Sequence, residues 1–243
     1  MNTSRTNHKT FLLIAWLLLL GSSVSAYQWN TVGGPLGTNW GPQGTTVTYS
    51  FMPAGLNTDG GHTTSAIPGT WNAIITAAFN EWSSHCGLTF VQHPDSGLDF
   101  DATGATADIR IGRHHFDAAL GTLAHGYYPP PNGDSAAGDV HFDEDEDWYV
   151  GLGVPGINQI DLFSVALHEI GHAIGLGHSA DPTSVMDPTY APGSTLRDLQ
   201  PDDIAGIQSH YGESGATPEP ATLLLFALCL GALFFMGPGG TRR

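Results

Sequence analysis

Residues 165–190 read VALHEIGHAIGLGHSADPTSVMDPTY, with three histidines and a glutamate inside eleven positions. The run DLFSVALHEIGHAIG carries apolar residues at helical spacing, with Asp161 at the expected N-cap. On a helix, residues four apart share a face, so His168 and His172 can grip one ion together. Glu169 stands beside the first imidazole, placed to take a proton from an attacking water. Gly175 can adopt the left-handed turn that ends a helix, returning the chain so that His178 offers a third nitrogen. Three protein ligands leave a fourth position open, as a catalytic zinc requires. The stretch reads as a metal centre rather than a solvated helix that happens to carry histidines.

The two ends of the 243-residue chain read as address labels. Residues 1–26 combine a basic start (Arg5, Lys9), an apolar run from Phe11 to Leu20 and small residues at Val24-Ser25-Ala26, a secretory signal cut after Ala26. Residues 214–243 form a linker, a Pro-Glu-Pro triplet, an apolar run from Ala221 to Met236 and the terminal Arg242-Arg243. A short apolar segment with a basic stop gives transient membrane association. Between the labels there is room for one domain with a real core. The formal charge is −16, and only Arg110, Arg113 and Arg197 remain as cations between the ends. A nucleic-acid partner needs a basic face, which these residues cannot build. Cys86 and Cys229 are the two cysteines, the second in the tail, so the domain has no internal disulfide and Cys86 reads as a small buried hydrophobe.

Residues 27–44 are a Gly-, Pro- and Trp-rich lead-in. TTVTYSF (45–51) predicts a first strand. GTWNAIITAAFNEWSS predicts a helix with Trp71, Ile74, Ile75, Ala78, Phe79 and Trp82 on its core face and Thr70 as N-cap. LTFVQ (88–92) and ADIRIG (107–112) are short strands, and PDDIAGIQSHYG is a third helix stopped by Gly212.

The full pattern His-Glu-x-x-His-x-x-Gly-x-x-His, with Met186 eight residues on, resembles the catalytic core of matrixins, the matrix metalloproteinase branch of the metzincins. Ser179 after the third histidine favours that branch. FNEWSSHCGLTF, ADIRI, LAHGYY, GDVHFDEDEDW and PDDIAGIQSHYG follow in family order, so the likeness spans a domain at residues 45–213. The resemblance implies an α+β fold: a twisted, mostly parallel mixed sheet with three helices, and two lobes flanking a zinc cleft. It also implies a secreted monomeric endopeptidase acting on protein or peptide substrates. Leu123 and Ala124 are then an edge strand that pairs with substrate, and Pro188 and Tyr190 wall the pocket beyond the cut.

By the same resemblance, His125 and His141 match ligands of a second, structural zinc. The family's His-Gly-Asp is absent; His115, or His114, is the candidate for the missing histidine. Asp117, Asp143 and Glu146 match one calcium site, and Asp108 and Asp139 another; Asp117 cannot serve both metals. The tail resembles the PEP-CTERM signal, which implies processing by an exosortase-like enzyme and delivery to the envelope or extracellular matrix of a Gram-negative bacterium. No cysteine lies between Tyr27 and the first strand, so latency through a cysteine plug is not expected. The competing reading is a non-catalytic, calcium-stabilised envelope or biofilm-matrix module on the same fold. Glu169 separates the two, since a retired protease could lose it and keep its metal.

Overall fold

The computed structural model describes residues 39–130 and 135–215. The leader, most of the lead-in and nearly all of the tail lie outside the described residues.

Seven strands and three helices follow in the order β1 (Thr46–Phe51), α1 (Gly69–His85), β2 (Thr89–Gln92), β3 (Ile109–His114), β4 (Ala124–Gly126), β5 (Val140–Asp143), β6 (Trp148–Tyr149), β7 (Ile160–Asp161), α2 (Leu162–Ala173) and α3 (Pro201–Tyr211). The main sheet has the order β2-β1-β3-β5-β4, and β6 pairs with β7 in a small second sheet. All main-sheet pairs are parallel except β4 on β5. The fold is α+β, as the sequence predicts. None of the helices among the described residues is long and apolar enough to cross a membrane.

Strand side chains alternate between faces, and here the two faces do different work. Val47 and Tyr49, Ile109 and Ile111, and Val140 and Phe142 belong to the buried core, where α1 packs Trp71, Ile75, Phe79 and Trp82. Ile74, expected beside them, is half-buried against the same core. The alternate positions Ser50, Arg110, His114, His141 and Asp143 are buried yet polar, so the opposite face must find polar or ionic partners. Ser50 and Arg110 share Asp95: the hydroxyl donates at 2.7 Å, and the guanidinium makes a two-pronged contact at 2.9 and 3.0 Å.

Helix α1 begins two residues earlier than Thr70 predicts. Pro68, in extended conformation, occupies the cap position, and Trp71 N–H donates to its carbonyl at 2.9 Å. Proline fixes its own φ at a value that suits this entry, so no hydroxyl cap is needed. The lead-in joins the domain before the first strand: Trp40 Nε1 donates to Ala173 O at 2.8 Å, closing the C-terminal end of α2. Cys86 is buried, and burial pushes its thiol up to about 11, in keeping with a structural role.

The three arginines among the described residues are all engaged. Besides Arg110 on Asp95, Arg113 donates to Glu144 O and sits 5.5 Å above the Trp71 ring, and Arg197 donates to Asp161 at 2.5 and 2.9 Å.

Candidate active site

Asp161 caps α2, accepting from Ser164 N at 3.1 Å and Ser164 Oγ at 2.6 Å. The helix is buried nearly all round, so its polar residues must be satisfied inside the protein. It ends in a Schellman turn: Leu176 N–H reaches Gly171 O and Gly175 N–H reaches His172 O, both at 2.9 Å. Gly175 takes φ +105° to make that turn, which an L side chain resists. The chain doubles back and delivers His178.

The rings of His168, His172 and His178 converge, with centroids 4.7 to 5.2 Å apart. His168 Nδ1–H donates to Val185 O and His172 Nδ1–H to Leu176 O, each at 2.7 Å. Both bonds fix the tautomer and leave Nε2 as a free lone pair. His172 Nε2 and His178 Nε2 stand 3.2 Å apart. Zinc–nitrogen bonds of about 2.0–2.1 Å at tetrahedral angles set ligand atoms about 3.3 Å apart, so this donor set fits zinc. Burial lowers His168 to about 4 and His172 to about 3, which keeps both imidazoles neutral and ready to ligate.

Glu169 is 7% exposed, and burial raises its carboxyl to about 8 despite a hydrogen bond from the Gly126 backbone. It faces a cleft of about 530 Å³ that also holds the three histidines, Leu123 and Ala124 on one side, and Pro188 and Tyr190 on the other. Ala124 begins β4, the sheet's edge strand, so the cleft runs beside unpaired backbone. Tyr190 is pinned by its hydroxyl, which accepts from Asp161 N and donates to Ser194 O. Beneath the histidines lies the fully buried Met186, and Ser179 N–H donates to its carbonyl at 2.8 Å.

The matrixin family profile matches residues 39–212. The chain belongs to the matrixin family. It is 44% identical to matrix metalloproteinase-16 of Rattus norvegicus over 153 residues, covering 60% of this chain and 24% of that protein. Matrilysin of Felis catus is 44% identical over 149 residues, 59% of this chain and 52% of matrilysin. Metalloendoproteinase 2-MMP of Arabidopsis thaliana is 34% identical over 192 residues, 72% of this chain and 44% of the plant protein. The match spans between a quarter and about half of these relatives' length. The match also starts at residue 39, inside the lead-in segment, where Trp40 already docks on α2.

A second donor cluster in this matrixin unites Asp59, His114, His125 and His141. His125 and His141 fall together as the sequence suggests. His115 does not join them; it turns out to solvent and pairs with Asp145 at 2.6 Å. The reason is strand parity: Ile109 and Ile111 face the helices, so His114 and not His115 shares the opposite face with His141. His62, with no role expected, stacks near His114 and His115 at 6.0 and 5.3 Å.

The carboxylates separate into three situations. Asp117 accepts from Thr122 N, Asp143 from Phe116 N and Asp145 N, and Glu146 from Leu120 N. Glu146 is raised by burial and by the charges of Asp143 and Asp117, and its Oε2 is buried without a partner. That is crowded negative charge, which a hard cation relieves. Asp139 is fully buried; Oδ1 accepts from Arg110 N at 2.8 Å, Oδ2 has no partner, and burial raises it well above the usual range. Asp108, expected with Asp139, accepts at Oδ2 from Thr48 N–H and from Thr48 Oγ1–H, both at 2.7 Å. These bonds fasten β1 to the start of β3.

Sequence reasoning also passed over Asp203. Buried at the start of α3, it accepts from Ser184 Oγ, Val185 N and Gln200 N, and so holds the turn that carries Met186.

Proposed function

We propose that this matrixin is a zinc-dependent endopeptidase. One observation carries the reading: Glu169 lies in the same cleft as three histidines whose free nitrogens converge beside an edge strand. When bound, zinc supplies Lewis acidity toward water and the scissile carbonyl. Residues around it do the rest. The edge at Leu123 and Ala124 pairs with an extended peptide by strand addition, giving backbone affinity with little sequence choice. A bound cation's positive charge would offset the burial that raises Glu169 and favour its carboxylate. Glu169 then takes one proton as the water oxygen bonds to the carbonyl carbon, and passes a proton to the departing nitrogen as the C–N bond breaks. The products are a new carboxylate and a new amine.

The His114 cluster is proposed to hold a second, structural zinc, and the Asp117–Asp143–Glu146 group a calcium. Export by the leader and sorting through the PEP-CTERM-like tail complete the proposal; their support is the composition and order of residues 1–26 and 214–243.

The test is cleavage of casein and quenched peptides by the full chain beside Glu169→Ala, with zinc quantified in both. Loss of a general base costs about 10²–10⁴-fold in rate. The substituted protein should keep its zinc and lose activity by that order. Equal, negligible cleavage by both folded, zinc-loaded proteins across a broad peptide library would instead favour the non-catalytic module.

A further inference from the structure

We infer that Asp59, on the loop between β1 and α1, replaces the missing ligand of the second zinc site, so that the ion ties this loop to the sheet. The inference rests on the proposed second zinc. Asp59 Oδ1 lies 3.0 Å from His114 Nε2 and 3.1 Å from His141 Nδ1, and Oδ2 lies 3.3 Å from His125 Nε2. His114 Nε2 and His141 Nδ1 are 3.3 Å apart. These are the edges expected of a tetrahedron of nitrogen and oxygen ligands about zinc, at about 3.3 Å.

Hydrogen bonding alone does not account for the arrangement. His114 Nδ1–H donates to His115 O at 2.9 Å, so in the neutral ring Nε2 carries a lone pair, aimed at a carboxylate. His125 Nε2 is buried and makes no hydrogen bond although a carboxylate oxygen is 3.3 Å away. Acceptors facing one another across such distances call for a cation between them. One carboxylate with three imidazoles is a donor set that suits zinc.

The loop is shaped for the task. Gly60 and Gly61 take φ +68° and +80°, a pair of left-handed residues that folds Asp59 back over the ends of β3 and β5. Thr58 Oγ1–H donates to Asp59 Oδ1 at 2.7 Å and Tyr127 O–H to Oδ2 at 3.2 Å, orienting the carboxylate as ligand partners do. β3 ends at His114, and the acid that follows it, Asp117, accepts from Thr122 N and is not part of this cluster. A distant loop fills the vacancy.

Zinc counted by native mass spectrometry on the full chain, in wild type, His125→Ala and Asp59→Ala, tests this. Two ions are expected in wild type and one in each variant, with affinity at the second site lowered by about 100-fold or more. Two ions in Asp59→Ala but one in His125→Ala would overturn the role of Asp59 while sparing the second zinc. One ion in wild type, unchanged in His125→Ala, would remove the second zinc and Asp59's role with it. A wild-type arm stands if Asp59→Ala does not fold. Taking out the second ion by graded chelation should speed amide exchange at Gly55, Thr58 and Thr64 as well as in β4. Speeding in β4 alone overturns the tether.

Discussion

The sulfur of Met186 rests directly on the backbone of Gly171, the helix residue immediately before His172. A Cβ on Gly171 would stand 2.4 Å from that sulfur and 3.1 Å from both Met186 Cε and Trp82 Cζ2. Glycine in mid-helix costs about 1 kcal/mol against alanine, and the close approach explains why it is there. Gly171→Ala should regain that propensity but overpack the site by about 1–3 kcal/mol. Because Met186 and Trp82 are both fully buried, the overpacking should win, and thermal unfolding should shift down by a few degrees. Stability equal to wild type would mean the methionine can swing away.

Asp203 makes the same turn depend on α3. Asp203→Ala leaves the Ser184 hydroxyl and the Val185 and Gln200 amides without their acceptor inside the protein. Each orphaned buried donor costs about 1–3 kcal/mol, so the loss should be several kcal/mol. Val185 also supplies the carbonyl that orients His168, so catalytic zinc should bind more weakly as well. Chemical denaturation and zinc titration of the variant read the two effects separately.

The pair Arg110–Asp95 is buried on the polar face of the sheet, with 1% and 6% side-chain exposure. Removing one partner strands a buried charge, so Asp95→Ala should cost about 3–5 kcal/mol. Burial opposes ionisation of Asp95, but hydrogen bonds from Arg110, Ser50 and Gly97 outweigh it and hold its carboxyl below 3.8. A depressed folded value means full stabilisation at neutral pH and loss as pH falls through that value. Wild type should therefore lose stability on acidification below about pH 4 more steeply than Asp95→Ala. Parallel pH curves for the two proteins would contradict this.

Calcium should raise the melting temperature through Asp117, Asp143 and Glu146. At a hundredfold excess over Kd the gain is about 2.7 kcal/mol, or about 5–10 °C for a domain of this size. Glu146→Gln, which removes one of the crowded charges, should shrink the calcium-dependent shift. The same shift in that variant would move the ion elsewhere.

The cluster of His168, His172 and His178 is legible because one helix and one turn carry all three, and helical spacing is a local property. The second cluster was only half legible. His125 and His141 could be matched by family order, but choosing His114 over His115 needed the parity of β3, which Ile109 and Ile111 already encode. Asp59 was hidden for a different reason: no local rule links a turn between β1 and α1 to a histidine more than fifty residues on. Asp-Gly-Gly-His (59–62) signals a turn but carries no sign of its distant partners. The docking of Trp40 is equally non-local, because its partner, the carbonyl of Ala173, is distant in sequence. For Asp108 the family match names a residue but not its side-chain partners, and Oδ2 bonds to Thr48.

The scarcity of free cations has a kinetic meaning. With no lysine after Lys9, Arg110 and Arg197 each paired with a carboxylate and Arg113 held by backbone carbonyls beside the Trp71 ring, the described surface is dominated by negative charge. A surface of one sign attracts oppositely charged molecules over long range and repels those of like charge. Such steering is screened over about 8 Å at physiological ionic strength, so its reach contracts as salt rises.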